Sequence, residues 1–315
     1  MTPVVTGRLP WAQVPSALRR AAERQLGGAV TEAVTQPGGF SPGAAVRLRL
    51  DTGRRAFAKA VGPELNPDSP GIYRAEARIA AALPARVPAP RLLGTAEADG
   101  WVLLLFEDID GARPAQPWRQ PELARVLAAL TDLASSLTPS PLDAPAIADT
   151  QSFAGWRELL AGAARGAGDL TGLGRWARDH LADLAELEAG WPAAAHGTAL
   201  VHADLRADNI LLTGDRVVFV DWPWACIAAP WIDLLFLAPS VALQGGPLPE
   251  ELFTSHPVAR DADPAAVTTV LAALAGYFAA QSRLPDPPGI PAVRAFQADQ
   301  GAVAADWLAL RTGWR

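Results

Sequence analysis

The most informative stretch of the chain is Leu200-Val-His-Ala-Asp-Leu-Arg-Ala-Asp-Asn-Ile-Leu-Leu-Thr213, followed closely by Val217-Val-Phe-Val-Asp-Trp222. The apolar run at 200–201 predicts a strand that leads into a polar loop. A second short strand, a turn at Gly214-Asp215 and a third apolar strand follow. The third strand ends on the carboxylate of Asp221.

The polar loop contains the pattern His-x-Asp-x-x-x-x-Asn, filled here by His202, Asp204 and Asn209, which is the spacing of the kinase catalytic loop. Phosphoryl transfer needs a carboxylate to accept the proton of the nucleophile and oxygen ligands that hold Mg²⁺ against the phosphates. Asp204 suits the first role. Asn209 and Asp221 suit the second because Mg²⁺ prefers hard oxygen donors. Ordinary turn residues of a hairpin are the alternative interpretation of the same pattern.

This stretch resembles the aminoglycoside phosphotransferase family of small-molecule kinases, which has the protein-kinase-like fold. The family pattern is close to His-Gly-Asp-Leu-x-x-x-Asn-Ile-Leu, then a strand that ends in Asp-Trp or Asp-Phe. Here Ala203 replaces the usual Gly, and Asp208 stands where a Gly often precedes the Asn. The resemblance implies His202, Asp204 and Arg206 as catalytic residues, with Arg206 as a clamp on the moving phosphoryl group. It also implies that Asp233 braces the loop.

Composition limits the classes of protein that fit. Half of the 315 residues are apolar, as in globular proteins, and we expect no apolar run long enough to span a bilayer. Cys226 is the only cysteine, so no intrachain disulfide forms. The N-terminus lacks the pattern of a signal peptide. These features predict a cytoplasmic protein that is not bound to a membrane.

Charge is divided unevenly along the chain. Residues 1–107 have a balance of +4 and residues 108–315 a balance of −10. A kinase whose second lobe holds a cationic acceptor would show this bias, and an acidic solvated surface would show it equally well. Strong binding of nucleic acid by the second half is disfavoured.

The cations carry a sharper signal, because 26 of the 27 are Arg and the single lysine is Lys59. A lone lysine in such a chain indicates a position where Arg does not substitute, since the compact ammonium and the planar guanidinium have different geometries. Lys59 lies on the third predicted strand, where a kinase has the lysine that contacts the α- and β-phosphates. Glu76, in the middle of the next predicted helix, is its candidate partner.

Up to about residue 107 the sequence predicts a five-stranded antiparallel sheet with one long helix, Gly71–Leu83. The predicted strands are Ala29–Thr35, Ala44–Leu50, Arg55–Val61, Pro90–Ala96 and Trp101–Glu107. The glycine-rich loop between the first two strands, with Gly39, Phe40 and Ser41, is expected to cover the phosphates of a nucleotide. The backbone of Glu107 and Ile109, in the segment after the fifth strand, is expected to hydrogen-bond adenine.

From about residue 112 the apolar spacing becomes helical. The predicted helices are Pro121–Leu137, Phe153–Ala164, Gly174–Gly190, about 265–281 and about 291–310. The sequence therefore predicts an α+β, bilobal protein-kinase-like fold. Residues 1–107 form an ATP-binding lobe and residues 108–315 a mostly helical catalytic and substrate-binding lobe. Only eleven residues separate Asp221 from Asp233, too few for the activation segment of a protein kinase.

These observations predict an enzyme that transfers the γ-phosphate of Mg-ATP to a hydroxyl of a small molecule, in which ATP lies between the lobes. An aminoglycoside or a related antibiotic is one candidate acceptor. A metabolic kinase for a sugar, nucleoside or amino alcohol is the first alternative, and a nucleotide-binding pseudokinase that regulates a partner is the second. The protein is expected to be a monomer or a homodimer.

Overall fold

The computed structural model describes residues 8–166 and 170–315. Backbone contacts divide the chain into two compact units. The first, called here the sheet unit, comprises the chain up to Arg113 together with Asp208–Trp224 and Asp286–Ala292. The second, called the helical unit, comprises Pro114–Ala207, Ala225–Pro285 and Val293–Arg315. The first unit thus extends beyond residue 107 and takes in two segments from much later in the chain.

The sheet unit is built on five antiparallel strands in the order β1-β2-β3-β5-β4. The strands are β1 Val30–Thr35, β2 Ala44–Leu50, β3 Arg55–Val61, β4 Leu92–Ala98 and β5 Trp101–Phe106. Two helices, α1 Ser16–Leu26 and α2 Ser69–Ala82, belong to the same unit. The predicted sheet is confirmed, and the predicted helix at Gly71–Leu83 begins two residues earlier than expected.

Both faces of the sheet are covered, which explains why β5 is apolar throughout. One core cluster joins Leu18, Ala22 and Leu26 of α1 to strand residues such as Leu103 and Leu105. The other cluster includes Tyr73 of α2 with Val102, Leu104 and Phe106. Successive side chains of a strand point to opposite faces, so a strand that is covered on both sides is apolar at every position.

The alternation of side chains along β3 also determines the face of the sheet to which Lys59 points. In β3 the residues Ala56, Ala58 and Ala60 are fully buried in the α1 cluster. Phe57, Lys59 and Val61 therefore point to the opposite face, which is the face of α2.

The two later segments add a hairpin and a short strap to the sheet unit. The hairpin consists of β7 Ile210–Leu212 and β8 Val217–Phe219, which pair antiparallel. Phe219 N–H donates to the carbonyl of Pro88 at 2.8 Å. The strap at 286–292 is held by Asn66, whose side-chain amide donates to the carbonyl of Pro288 at 3.2 Å.

The helical unit contains ten α-helices within its described residues and one short antiparallel pair, β6 Ala199–Val201 with β9 Cys226–Ala228. Its helices are α3 Gln120–Ser136, α4 Ile147–Thr150, α5 Gly155–Ala164, α6 Arg175–Asp179, α7 Leu181–Ala189, α8 Trp191–Ala194, α9 Ile232–Leu243, α10 Pro249–Ser255, α11 Pro264–Gln281 and α12 Val293–Thr312. The prediction of a single helix over Gly174–Gly190 is wrong, because His180 interrupts the helix and separates α6 from α7. The ring of His180 packs against Trp176 and Trp314 there.

Helix α11 is the centre of the helical unit and packs against α5, α7, α8 and α12. Gly155 and Gly276 let α5 and α11 come into backbone contact, since a Cβ added at Gly155 would lie 1.8 Å from the carbonyl oxygen of Gly276. By length and composition alone, α11 is long and apolar enough to cross a membrane. The expectation that the chain has no such run is therefore wrong, although the buried positions of α11 pack within this unit.

Candidate active site

A cavity of about 430 Å³ lies within the sheet unit. It is lined by every sheet-unit residue that the sequence singled out: Gly39, Phe40, Ser41, Lys59, Glu76, Glu107, Ile109, Asn209 and Asp221. These residues come from the β1–β2 loop, β3, α2, the segment after β5 and the β7–β8 hairpin. The fold therefore collects them at one place, although up to 182 positions separate them in the sequence.

Lys59 is the electrostatic centre of the cavity. Its Nζ lies 2.5 Å from Oε2 of Glu76 and 2.8 Å from Oδ1 of Asp221. The ring of Tyr73, one helical turn before Glu76, lies 5.0 Å from the same ammonium. The expected contact between Lys59 and Glu76 is therefore present, and Asp221 joins it.

Burial and the neighbouring charges shift the pKa values of Lys59 and Glu76. Desolvation acts to lower the pKa of Lys59, but the carboxylates of Asp221 and Glu76 outweigh it and hold that pKa above its ordinary value. Burial raises the pKa of Glu76 to about 7, against the opposing effect of Lys59. Lys59 is therefore a permanently charged ammonium, fixed in position by two acceptors.

Asn209 and Asp221 lie at opposite ends of the β7–β8 hairpin. Val220 N–H donates to the backbone carbonyl of Asn209 at 2.9 Å, which brings the two ends together. Asp221 has a φ of 70°, a left-handed conformation that costs free energy for a residue other than glycine. Such local strain is common where a structure fixes a functional side chain.

The donor set of Asn209 and Asp221 fits a divalent cation that also binds phosphate oxygens. An amide oxygen and a carboxylate are hard ligands, and Mg²⁺ is commonly held by one or two carboxylates together with phosphates and waters. No group of three or more His, Cys, Asp or Glu among the described residues could hold a metal alone. Phosphate oxygens and water would complete the coordination of a cation held by Asn209 and Asp221.

The part of the loop that carries His202, Asp204 and Arg206 belongs to the helical unit, where Asp233 fixes its backbone. The carboxylate of Asp233 accepts hydrogen bonds from His202 N–H at 2.9 Å and Ala203 N–H at 2.8 Å. Ala203 has a φ of 61°, a left-handed conformation that glycine adopts without steric cost. Burial raises the pKa of Asp233 above its ordinary value. The contact is the one expected of a residue that braces the loop.

His202, Asp204 and Arg206 differ in what they can contact. The ring of His202 is fully buried, and its Nδ1 accepts a hydrogen bond from Asp204 N–H at 3.3 Å. His202 is therefore located to orient the loop rather than to meet an acceptor. Asp204 and Arg206 form an ion pair and keep part of their surface exposed. The guanidinium of Arg206 lies 5.4 Å from the ring centre of Phe296.

The segment after β5 is fixed by a carboxylate that sequence reasoning missed. The buried side chain of Asp108 lies 3.0 Å from Nε of Arg47 and 2.6 Å from Nη2 of Arg55. The N–H of Glu107 donates to the carbonyl of Arg91 at 2.9 Å. Because that N–H is used, only the carbonyl of Glu107 can serve as its backbone contact to a base.

The β1–β2 loop shows a second feature that the sequence did not indicate. Gly38 and Gly39 have φ values of 84° and 76°, and arginine side chains lie directly against both. Arg8 donates to the carbonyl of Gly38, 30 positions away along the chain, and Arg113 donates to that of Pro37, 76 positions away. Both arginines line the cavity, as does Asp208. No local pattern marks Arg8 or Arg113, because these contacts depend on tertiary folding.

Comparison with known proteins identifies the family. The model of the phosphotransferase enzyme family, APH, matches residues 37–256, which is more than half of the chain. The chain belongs to this family. The resemblance stated from the sequence is thus confirmed, and so is the expected enzyme class, a phosphotransferase that uses an alcohol group as acceptor. None of the curated proteins compared with the chain by sequence matches it.

Solved structures of family members and related kinases share the fold. A thermostable mutant of aminoglycoside phosphotransferase APH(4)-Ia, in a ternary complex with ADP and hygromycin B, has a TM-score of 0.63 at 14% identity. That match covers 95% of this chain and 100% of the other. A choline/ethanolamine kinase family protein from Mesorhizobium loti has a TM-score of 0.58 at 18% identity. That match covers 93% of this chain and 92% of the other.

Amicoumacin kinase hAmiN, in complex with AMP-PNP, Ca²⁺ and Ami, has a TM-score of 0.55 at 10% identity. That match covers 94% of this chain and 92% of the other. At these identities the likeness concerns the fold. The expected α+β kinase-like fold is confirmed, and the APH family together with these neighbours makes the chain a small-molecule kinase.

Proposed function

We propose that this APH family member transfers the γ-phosphate of Mg-ATP to a hydroxyl group of a small molecule, with an aminoglycoside or a related antibiotic as the leading acceptor class. The observation that carries the proposal is the double contact of Lys59 Nζ with Glu76 and Asp221 in a cavity of about 430 Å³. A kinase needs the lysine–glutamate pair and the metal-binding aspartate in place at once. Relatives crystallised with ADP or AMP-PNP support ATP as the donor.

On the nucleotide side, each residue has a separate task. Lys59, held by Glu76, binds the α- and β-phosphates, and Gly39, Phe40 and Ser41 cover them. The amide oxygen of Asn209 and the carboxylate of Asp221 would hold Mg²⁺. When bound, Mg²⁺ supplies charge neutralisation at the phosphate oxygens.

On the acceptor side, Asp204 orients the hydroxyl and accepts its proton as the oxygen attacks phosphorus. Arg206 lies against Asp204, so its positive charge is available to stabilise the negative charge that develops on the transferring group. Asp233 and His202 hold the loop that carries both residues. A positioned general base typically contributes about 10²- to 10⁴-fold to the rate.

The side chains on α11 and α12 favour a second candidate, a metabolic kinase for a sugar, nucleoside or amino alcohol. Arg294 donates to the side-chain oxygens of Gln281 at 2.9 Å and Gln297 at 2.8 Å, and Gln297 donates to the hydroxyl of Tyr277 at 3.4 Å. Burial raises the pKa of Tyr277, and the negative charge of Asp204 acts in the same direction, so this group lies near the base. These four side chains suit a neutral acceptor rich in hydroxyls better than a polycation.

The test is phosphate transfer from Mg-ATP to a panel of antibiotics, sugars, nucleosides and amino alcohols, read by mass spectrometry. Asp204→Asn should lower transfer by about 10²-fold or more and retain ATP binding. Asp215→Asn, at the exposed turn between β7 and β8, is the matched control and should transfer normally. Transfer that survives in Asp204→Asn would refute the assigned base. ATP binding without transfer to any compound would favour the regulatory pseudokinase.

A further inference from the structure

Two arginines lie over the glycine-rich loop of the cavity. Nε and Nη2 of Arg8 donate to the carbonyl of Gly38 at 3.0 and 2.7 Å. A Cβ added at Gly39 would lie 2.5 Å from Nη2 of Arg8, and one added at Gly38 would lie 2.5 Å from Nη1 of Arg113. The two glycines therefore leave the space that the guanidinium groups occupy.

The other cations of the cavity are already matched by carboxylates. Lys59 contacts both Glu76 and Asp221, and Arg47 is paired with Asp108. When both carboxylates are ionised, Lys59, Glu76 and Asp221 have a net charge of −1, so Lys59 alone does not make the cavity attractive to an anion. A nucleoside triphosphate remains negatively charged with one Mg²⁺ bound, so further cations in the cavity would favour its binding.

Arg8 and Arg113 are the cations that meet this need. Among residues 8–166 and 170–315, no carboxylate lies within ion-pair distance of either guanidinium. Arg8 also faces Tyr73 and Asp221, and burial lowers its pKa below the ordinary value, with Arg113 acting in the same direction. A partly buried cation with no carboxylate within ion-pair distance is costly, and an anion bound in the cavity would lower that cost.

We propose that Arg8 and Arg113 bind the phosphate chain of the nucleotide beyond the α-phosphate, with Arg8 as the direct ligand and Arg113 at the exposed rim as a supporting charge. The proposal rests on the proposed function, because it requires a nucleotide in this cavity. Guanidinium groups bind phosphate oxygens with two parallel N–H donors. Arg8 would thus link the chain before α1 to nucleotide binding.

The alternative is that Arg8 only ties the β1–β2 loop to the preceding chain through the carbonyl of Gly38. Binding of AMP, ADP and ATP, each with Mg²⁺, by isothermal titration calorimetry separates the two roles. For Arg8→Met, dissociation constants of ADP and ATP should rise about 10- to 100-fold, and that of AMP should stay close to wild type. The dissociation constants of ADP and ATP for Arg8→Lys should lie between those of wild type and Arg8→Met, because lysine keeps the positive charge but lacks the two parallel N–H donors of the guanidinium group.

Arg19→Met is the matched control, since Arg19 also donates to a backbone carbonyl, that of Val14 at 3.0 Å, and does not line the cavity. It should bind all three nucleotides as wild type does. Equal weakening of AMP, ADP and ATP in Arg8→Met, or no weakening, would overturn the phosphate role and leave a structural tether. If Arg8→Met fails to fold, the same series on Arg8→Lys decides. A wild type that binds no nucleotide would refute the proposed function itself.

Discussion

At the residue scale, the site depends on the one lysine of the chain. Every other cationic residue of the Lys and Arg type is Arg. The ammonium of Lys59 lies between two carboxylates and a tyrosine ring. A planar guanidinium is wider and directs its donors in a fixed fork. It cannot replace the ammonium at 2.5 and 2.8 Å from two different carboxylates without moving them.

We therefore expect Lys59→Arg to lower kcat/KM for ATP by about 10²-fold, the equivalent of about one or two hydrogen bonds to a charged group. Steady-state kinetics with the acceptor found in the panel measures this effect. Arg49→Lys, an exposed exchange on the neighbouring strand β2, controls for the change of residue type. Near-normal activity of Lys59→Arg would show that the position tolerates either cation and would weaken the argument from composition.

Sequence reasoning predicted single residues well where their place in a predicted element marked them. Lys59 on the third strand and Glu76 in the middle of the next helix occupy the positions of a kinase lysine and its partner, so the Lys59–Glu76 contact could be predicted. Arg8 and Arg113 could not be predicted, because nothing in their neighbourhood differs from that of other surface arginines. Only the folded chain brings them against Gly38 and Gly39.

At the element scale, helix α5 begins on a carboxylate from α7. Glu188 is fully buried and accepts hydrogen bonds from Trp156 N–H at 3.0 Å and Arg157 N–H at 3.1 Å. The first N–H groups of a helix have no partner within the helix, so Glu188 satisfies donors that would otherwise be buried. The sequence did not indicate this cap because 31 or 32 residues separate the partners.

Glu188 also gives the helical unit a predictable response to pH. Burial raises its pKa above the ordinary value, more than its hydrogen bonds lower it. The folded protein therefore holds this proton more tightly than the unfolded chain. The contribution of Glu188 to the free energy of unfolding is largest below the unfolded pKa, about 4.3, and falls as pH rises through the folded pKa.

Glu188→Gln removes this titration. The free energy of unfolding of wild type minus that of Glu188→Gln should therefore fall as pH rises above the unfolded pKa of about 4.3, as measured by urea denaturation at several pH values. Glu186→Gln, on the exposed face of α7, controls for the loss of a carboxylate. A difference that rises with pH would mean that the hydrogen bonds to Glu188 outweigh its burial.

At the scale of the whole molecule, the chain does not divide at one point. The hairpin β7–β8 and the strap at 286–292 belong with the sheet that begins the chain. The sequence indicated a change from strands to helices near residue 107, which describes local structure correctly. It could not indicate which later segments return, because that depends on packing between distant residues such as Phe219 and Pro88.

Because the sheet unit includes later segments of the chain, it predicts which backbone amides a bound nucleotide protects from hydrogen exchange. At about 100 times its dissociation constant, a ligand stabilises the folded form by about 2.7 kcal/mol, so amides that exchange through opening of the sheet unit should slow by up to about 100-fold. Hydrogen exchange read by mass spectrometry should therefore detect protection in β2, β3 and β5, and equally in Ile210–Phe219. Protection that stopped at residue 113 would contradict the inclusion of the hairpin, since Asn209 and Asp221 flank it and line the same cavity.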